Sequence, residues 1–488
     1  MPSDAIMFPL LAGVMLIGLY YLIQWLQDPA ILNKILRGYM SLMGVASLTT
    51  LLAHSLKVAS GFVFPNWFRE NGFLCRVDDD RESFLKIEGR EADDDAEGEV
   101  LPRASPLPPA LRSLVPLRSP SRFLWDLRHL LVDEWTIRAK VHGLFREKLH
   151  LSVNHIVGFF LAIATVSAYY LTSSPLLSNL MGYGFCYGSF LIMSPTSFAT
   201  GSLVLMGLFF YDIVMVFYTT LSSPYMITVA TKLDVPIKLQ FKTAARSSIL
   251  GLGDIVVPGI VMCLALRFDL WRHYQSKIQR LETNLKSDER DASSGEVVTV
   301  SQTKTLAEKA LWLDINGCWG DWFWSSSWLG LFKSGGAPAP PSVRGSTFKK
   351  TYFNASLVGY TVGMLVTLAM LHIFKHGQPA LLYLVPGVLG SLWLTGLVRG
   401  ELKDMWTYTE DGSLDTRDVV VEVDGNGNVI KEVKKDDKDE EKKKAEEEQA
   451  AKEKKLSEAK EDEKEAERSE YSIVSFSITA PLRKQKAN

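Results

Sequence analysis

Long apolar blocks alternate along the chain with very polar stretches, and the blocks have the length of membrane spans. A bilayer core about 30 Å thick needs roughly 20 apolar helical residues, because each backbone polar group must find its partner inside the segment. Eight stretches approach that standard: Ala5–Leu26, Tyr39–Phe64, Val153–Leu171, Leu176–Ser194, Gly201–Leu221, Ile249–Leu266, Tyr352–Phe374 and Ala380–Leu397. The pattern predicts an all-α fold, a polytopic membrane helix bundle of about eight spans with long loops and a charged low-complexity tail. The first block has no basic leader and is too long for an ordinary signal-peptide core, so it reads as a span.

Six segments follow from this reading. They are an N-terminal transmembrane hairpin (1–64), a Pro-rich charged loop (65–136), a group of spans (137–268), a Trp-containing loop (269–350), a C-terminal transmembrane hairpin (351–410) and a charged tail (411–488). Arg138, Lys140, Arg146, Lys148, Arg267, Arg272, Lys349, Lys350, Arg399 and Lys403 cluster near helix ends on one side. The positive-inside tendency makes that side cytosolic, with both long loops, the N-terminus and the C-terminal tail on it. Lys232, Lys238, Lys242 and Arg246 in the opposite loop pull the other way.

The polar segments carry their own expectations. Pro102, Pro106, Pro108, Pro109, Pro116 and Pro120 favour an extended linker. From Phe123 to His150, apolar residues at helical spacing among basic ones predict a helix, lying on the membrane surface or packed against the bundle. Trp312, Trp319, Trp322, Trp324 and Trp328 fit an interfacial anchor, and a partner-docking surface is the other reading. Asp424-Gly-Asn-Gly-Asn428 begins like a calcium loop but has Val429 at position six and Lys435 at position twelve, so it reads as a hairpin turn between Val419–Val423 and Val429–Val433. The Lys/Glu repeats from Lys431 to Glu470 predict a solvated helix or disordered rod. The last residues, Lys484-Gln485-Lys486-Ala487-Asn488, resemble dilysine retrieval signals of endoplasmic reticulum membrane proteins.

Composition changes this picture little. With 53 basic and 55 acidic residues in 488, the net charge of −2 gives no reason to expect a nucleic acid partner. Cys75, Cys186, Cys263 and Cys318 lie far apart with no C-x-x-C spacing, so neither a zinc site nor a disulfide framework is indicated.

Candidate chemistry comes from charge in the wrong solvent. An ionisable residue near the centre of a span costs at least ~2.5 kcal/mol on insertion scales and usually marks function. The fifth span holds Asp212 and the sixth holds Asp254, within Gly251-Leu252-Gly253-Asp254. Consecutive spans pack as antiparallel neighbours, which makes a carboxyl dyad feasible. His54 and Lys57 lie near the end of the second span, from which they can snorkel. Two carboxyls that meet share one proton and titrate as a unit. That state suits amide hydrolysis by water: one carboxylate takes a proton from the water while its protonated partner polarises the scissile carbonyl, with no metal or cofactor. Gly251 and Gly253 permit close backbone approach, and Pro379 sits at a helix start where its missing N–H matters little.

Tyr211-Asp212 in one span, Gly251-Leu252-Gly253-Asp254 in the next and Pro379-Ala380-Leu381 opening the last together resemble the GxGD intramembrane aspartyl proteases, and the flanking text resembles signal peptide peptidase. The resemblance implies that Asp212 and Asp254 are catalytic. It also implies that Tyr211, Gly251, Leu252, Gly253, Pro379, Ala380 and Leu381 support the active site or hold substrate. It implies substrates too: signal peptide remnants and other single transmembrane helices in type II orientation, cut in the endoplasmic reticulum bilayer. The partners expected are these helical peptides and the lipid bilayer, with a homo-oligomer left open. The family pattern has nine spans with a lumenal N-terminus, so this chain reads as beginning at the second. A presenilin-like protease of other substrate orientation, a proton-coupled transporter and a non-catalytic membrane adaptor are the rival readings.

Overall fold

The computed structural model describes residues 29–70, 73–79, 81–87, 99–102, 105–114, 121–141, 145–195, 197–214, 238–243, 246–290, 297–308, 313, 315–326, 339–374, 379–409, 420–423, 429–433 and 474–479, with scattered helical positions between 7 and 25. In chain order the elements are α1 (Pro29–Val63), β1 (Trp67–Glu70), β2 (Phe73–Asp78), β3 (Ser83–Ile87), β4 (Glu99–Pro102), α2 (Pro109–Leu114), α3 (Ser121–Val132), β5 (Trp135–Val141) and β6 (Phe145–Leu151). Next come α4 (Val153–Thr172), α5 (Pro175–Ile192), α6 (Phe198–Ile213), β7 (Lys238–Thr243), β8 (Arg246–Gly251), α7 (Gly253–Gln275), β9 (Gln279–Arg290) and β10 (Val297–Glu308). The chain continues through α8 (Trp319–Ser325), α9 (Pro341–Ser346), α10 (Thr351–Phe374), α11 (Leu381–Arg399), α12 (Leu402–Thr407), β11 (Val420–Val423), β12 (Val429–Val433) and β13 (Val474–Thr479). The charged repeats between 434 and 473, the retrieval-like ending, Trp312 and Trp328 lie outside the described residues.

Among the described residues, Lys34–Val63, Val153–Thr172, Thr351–Phe374 and Leu381–Arg399 are long and apolar enough to cross a membrane, and α6 is a shorter apolar helix. Helices α5 and α7 stand where the fourth and sixth spans are expected. The membrane body is therefore the expected all-α polytopic bundle, and the total of eight spans rests on the sequence.

The helices pack in two groups. Leu48, Ala162, Val166, Tyr169 and Met181 join α1, α4 and α5. Phe198, Leu205, Leu264, Phe268, Val388 and Leu392 belong to the larger core of α6, α7 and α11, which Tyr352 at the start of α10 joins. Phe190 of α5 covers Gly259 of α7 and links the groups. Lipid is as apolar as leucine, so burial alone does not draw such helices together, and close contact depends on small residues. Gly359 and Gly363 let α10 lie directly on the α11 backbone at Gly387, Tyr383 and Leu384.

The segments outside the bundle are more ordered than the sequence suggests. Strands β1 to β4 form an antiparallel meander. One face of it buries Phe68, Cys75, Val77 and Phe84 under Trp125 of α3, ahead of the prolines from which a linker was read. Pro102 closes β4 and Pro109 opens α2, so the prolines begin where the meander ends. The helix expected from Phe123 to His150 ends at Val132. After it, aromatic and β-branched residues in Trp135–Val141 suit a strand, and β5 satisfies its backbone between β6 and β13. The expected hairpin at 419–433 is present as β11 and β12, and it extends a sheet with β10 and β9.

The Trp-containing loop is divided in its behaviour. Trp324 Nε1–H donates to the Phe62 carbonyl at 2.8 Å, and Gly320 lies on Gly61 at the end of α1. Asp321, 2% exposed, accepts from Asn66 N–H at 2.8 Å, Trp67 N–H at 3.1 Å and Ser342 Oγ at 3.1 Å. Burial pushes its carboxyl above the usual range, opposed by these donors and by the nearby Arg128 guanidinium. Trp324 is thus an internal contact, while Trp319 and Trp322 stay exposed as an interfacial residue would.

A Cβ on Gly363 would press on the α11 backbone, whereas Gly390 faces open space. Gly363→Ala is expected to destabilise the detergent-solubilised chain by about 1–3 kcal/mol. Gly390→Ala should be neutral or slightly stabilising in the same thermal-unfolding measurement.

Candidate active site

The expected site residues fall at helix ends of the larger group, except Gly251, which ends strand β8. Asp212 lies in the last turn of α6 and is 7% exposed. Its Oδ2 accepts the Leu381 N–H at 3.1 Å. The first N–H groups of a helix have no partner within it and carry partial positive charge, so the opening of α11 supplies what a carboxyl removed from water requires. Pro379 and Leu381 are buried and Ala380 caps the helix, so the three residues form the corner that aims this donor.

Asp254 stands differently from the sequence expectation. Ile249–Gly251 were read as the start of a span, but they end strand β8, and α7 begins only at Gly253. Asp254 is consequently in the first turn of its helix, where the exposed N–H groups favour negative charge. The hairpin β7–β8 explains the late start, because its ladder from Lys238↔Gly251 to Thr243↔Arg246 uses the backbone groups a helix would need. Asn179 of α5 holds this hairpin by two bonds to the Gln240 backbone, at 2.8 and 2.9 Å.

The structure brings Asp212 near enough to Asp254 for its charge to act on that carboxyl. A Cβ on Gly251 would sit 3.4 Å from Asp254 Oδ2, so the Gly251 backbone lies against this carboxyl. Among the described residues nothing lies within 4 Å of where a Cβ on Gly253 would sit. Leu252 packs toward Gly182 of α5 and anchors the turn. Tyr211 is half-buried against the core beside Asp212, and Gly13 of the first apolar block lies beside its ring. Among the described residues no cluster of His, Cys, Asp or Glu could hold a metal ion.

Two features were not anticipated. Tyr360 of α10 reaches the Asp254 carbonyl with its hydroxyl at 3.5 Å, adding a fourth helix to the site. Its only sequence signal is a polar-tipped aromatic within an apolar span. The second is a polar lock at the opposite end of the same helices. Asp269 of α7 accepts the Phe353 N–H at 2.9 Å, capping α10 from outside. Glu401 accepts from Arg272 at 2.6 Å, from the Tyr352 hydroxyl at 2.6 Å and from Arg399 at 3.1 Å. The lock fixes α7, α10 and α11 relative to one another, and these are the helices that carry Asp254, Tyr360 and Leu381.

Glu401→Ala leaves two guanidinium groups and a hydroxyl without their acceptor. It is expected to cost about 2–3 kcal/mol in thermal unfolding, with Glu401→Gln losing less because one acceptor oxygen survives.

A family model described as signal peptide peptidase matches residues 1–412. Intramembrane protease 2 of Caenorhabditis elegans is 32% identical over 256 residues, covering 51% of this chain and 41% of the relative. A probable intramembrane protease of Schizosaccharomyces pombe is 32% identical over 256 residues, covering 51% and 63%. The human signal peptide peptidase is 28% identical over 265 residues, covering 53% and 50%. The matches thus span about half the length of these relatives, and no solved structure gives a significant match.

Proposed function

Because the chain belongs to the signal peptide peptidase family, we propose that it is an intramembrane aspartyl endopeptidase with Asp212 and Asp254 as its catalytic pair. The observation that carries this reading is the convergence of three helix ends. Asp212 takes its donor from Leu381 and shares an electrostatic environment with Asp254, which heads α7. Two carboxyls so placed share one proton. The ionised member abstracts a proton from a water positioned between them, and the water oxygen attacks the scissile carbonyl carbon. The protonated member donates to the carbonyl oxygen and stabilises the tetrahedral intermediate. Its collapse breaks the C–N bond as the nitrogen takes a proton from the pair.

Tyr211, Gly251, Leu252, Gly253, Pro379 and Ala380 act on this pair by position. The glycines leave room for an extended substrate backbone, and the Pro379-Ala380-Leu381 corner keeps Asp212 facing it. Substrates are transmembrane helical peptides in type II orientation, including signal peptide remnants, cut in the endoplasmic reticulum membrane. A cytosolic tail is supported by Arg267, Arg272, Lys349, Lys350, Arg399 and Lys403 near the ends of α7, α10 and α11.

Purified chain in lipid bilayers should cleave a radiolabelled type II helix. Asp212→Ala and Asp254→Ala should each reduce the rate at least about a thousandfold, with thermal unfolding still cooperative. Wild-type inactivity in suitable lipid would favour a non-catalytic adaptor.

An amide inside a helix is shielded by its own hydrogen bonds, so a substrate must unwind locally before attack. Gly, Ser, Asn or Pro near the cut should raise the cleavage rate of a model helix, and Leu or Ala at the same places should lower it. Rates indifferent to these exchanges would count against attack on an unwound segment.

A further inference from the structure

Between α8, α9 and the start of α10 lies a cavity of about 370 Å³ that the catalytic reading does not use. Trp319, Trp322, Ser342, Ser346, Thr347 and Lys350 line it, and among the described residues no carboxylate does. The neighbouring Asp321 does not supply one. Its oxygens are turned to Asn66, Trp67 and Ser342, and it is 2% exposed. Lys350 forms no ion pair among the described residues, and its Nζ lies 5.1 Å from the centre of the Phe348 ring.

We propose that this cavity binds the phosphate headgroup of an anionic phospholipid. Its depth supports that occupant, because Lys350 immediately precedes α10, a helix long and apolar enough to span a bilayer. A cation at such a place sits at the headgroup level. Trp319 and Trp322 are exposed there, and indole presents an apolar face to acyl chains and an N–H to phosphate. The charge is complementary, since Lys350 follows Lys349 and an anionic leaflet attracts such basic segments. Free phosphate would use the cation and the indole N–H groups but gain nothing from the apolar ring faces, so the apolar walls favour a lipid. The site also gives Trp319 and Trp322 a task distinct from that of Trp324, whose indole is committed to Phe62.

The test uses the full chain in neutral detergent micelles, with tryptophan fluorescence quenched by brominated-chain phospholipids. Phosphatidylserine is expected to quench at a several-fold lower concentration than phosphatidylcholine. That preference should disappear when Trp319 and Trp322 are both replaced by Phe. Lys350→Gln should weaken the phosphatidylserine response about fivefold, and Lys350→Arg should keep it. Equal quenching by the two lipids in wild type, or an unchanged response in Lys350→Gln, would overturn the proposal. Reversal of quenching by millimolar inorganic phosphate would overturn its lipid part by showing a soluble-anion site. Should Lys350→Gln fail to fold, the wild-type lipid comparison and the double Trp variant still decide. None of these outcomes depends on proteolysis.

Discussion

A carboxyl withdrawn from water must be given donors by the protein, and that requirement organises the helix ends around Asp212 and Asp254. A helix interior has no N–H to spare, because each is bonded to the carbonyl four residues earlier. Only the first turn of a helix has unused donors. The structure places two such first turns at the site, those of α7 and α11, and directs the Leu381 N–H to Asp212. The proline before α11 is consistent with this, since the donor it lacks is one the helix start would have left unpaired.

Donors aimed from helix ends work only if the helices cannot slide. One row of close contacts fixes α10 on α11 through Gly359 and Gly363. The second constraint is the lock of Asp269, Arg272, Tyr352, Arg399 and Glu401. Asp269 lies fifteen residues beyond Asp254 on α7, about 22 Å along the helix axis. The two sites are therefore at opposite ends of one rod. Polar bonding is concentrated at the far end, while at the near one no described residue crowds Gly253.

The sequence made the bundle legible because length and apolarity are sufficient to identify a span. It made the two aspartates legible because a carboxyl in an apolar block is costly to insert and is seldom kept without a task. What it concealed depended on pairing between distant segments. Strand β5 reads as a helix by the spacing of Leu127, Leu130 and Leu131 ahead of it, and only β6 and β13 make it a strand. The glycine-flanked start of α7 looks like continuous span because Ile249 and Leu250 are apolar, yet the partner strand β7 claims their backbone. Glu401 gave no signal, since an acidic residue just past a span is ordinary until Arg272 and Tyr352 are brought to it from two other helices.

The extramembrane segments continue the same logic rather than decorate it. Asp321 is buried like Asp212, and it too is satisfied chiefly by backbone N–H groups at the edge of regular structure, those of Asn66 and Trp67 between α1 and the body of β1. That bond ties the loop after α7 to the loop after α1, and Gly320 against Gly61 permits it by removing side chains from the contact. Helix α1 belongs to the smaller helix group and α7 to the larger. The folded loops consequently bridge the two groups at the membrane surface, in addition to the contact of Phe190 with Gly259 within the bundle. A bundle whose helices gain little from burial against lipid benefits from such a clamp in water, where removing Trp125, Phe68 and Phe84 from solvent still stabilises.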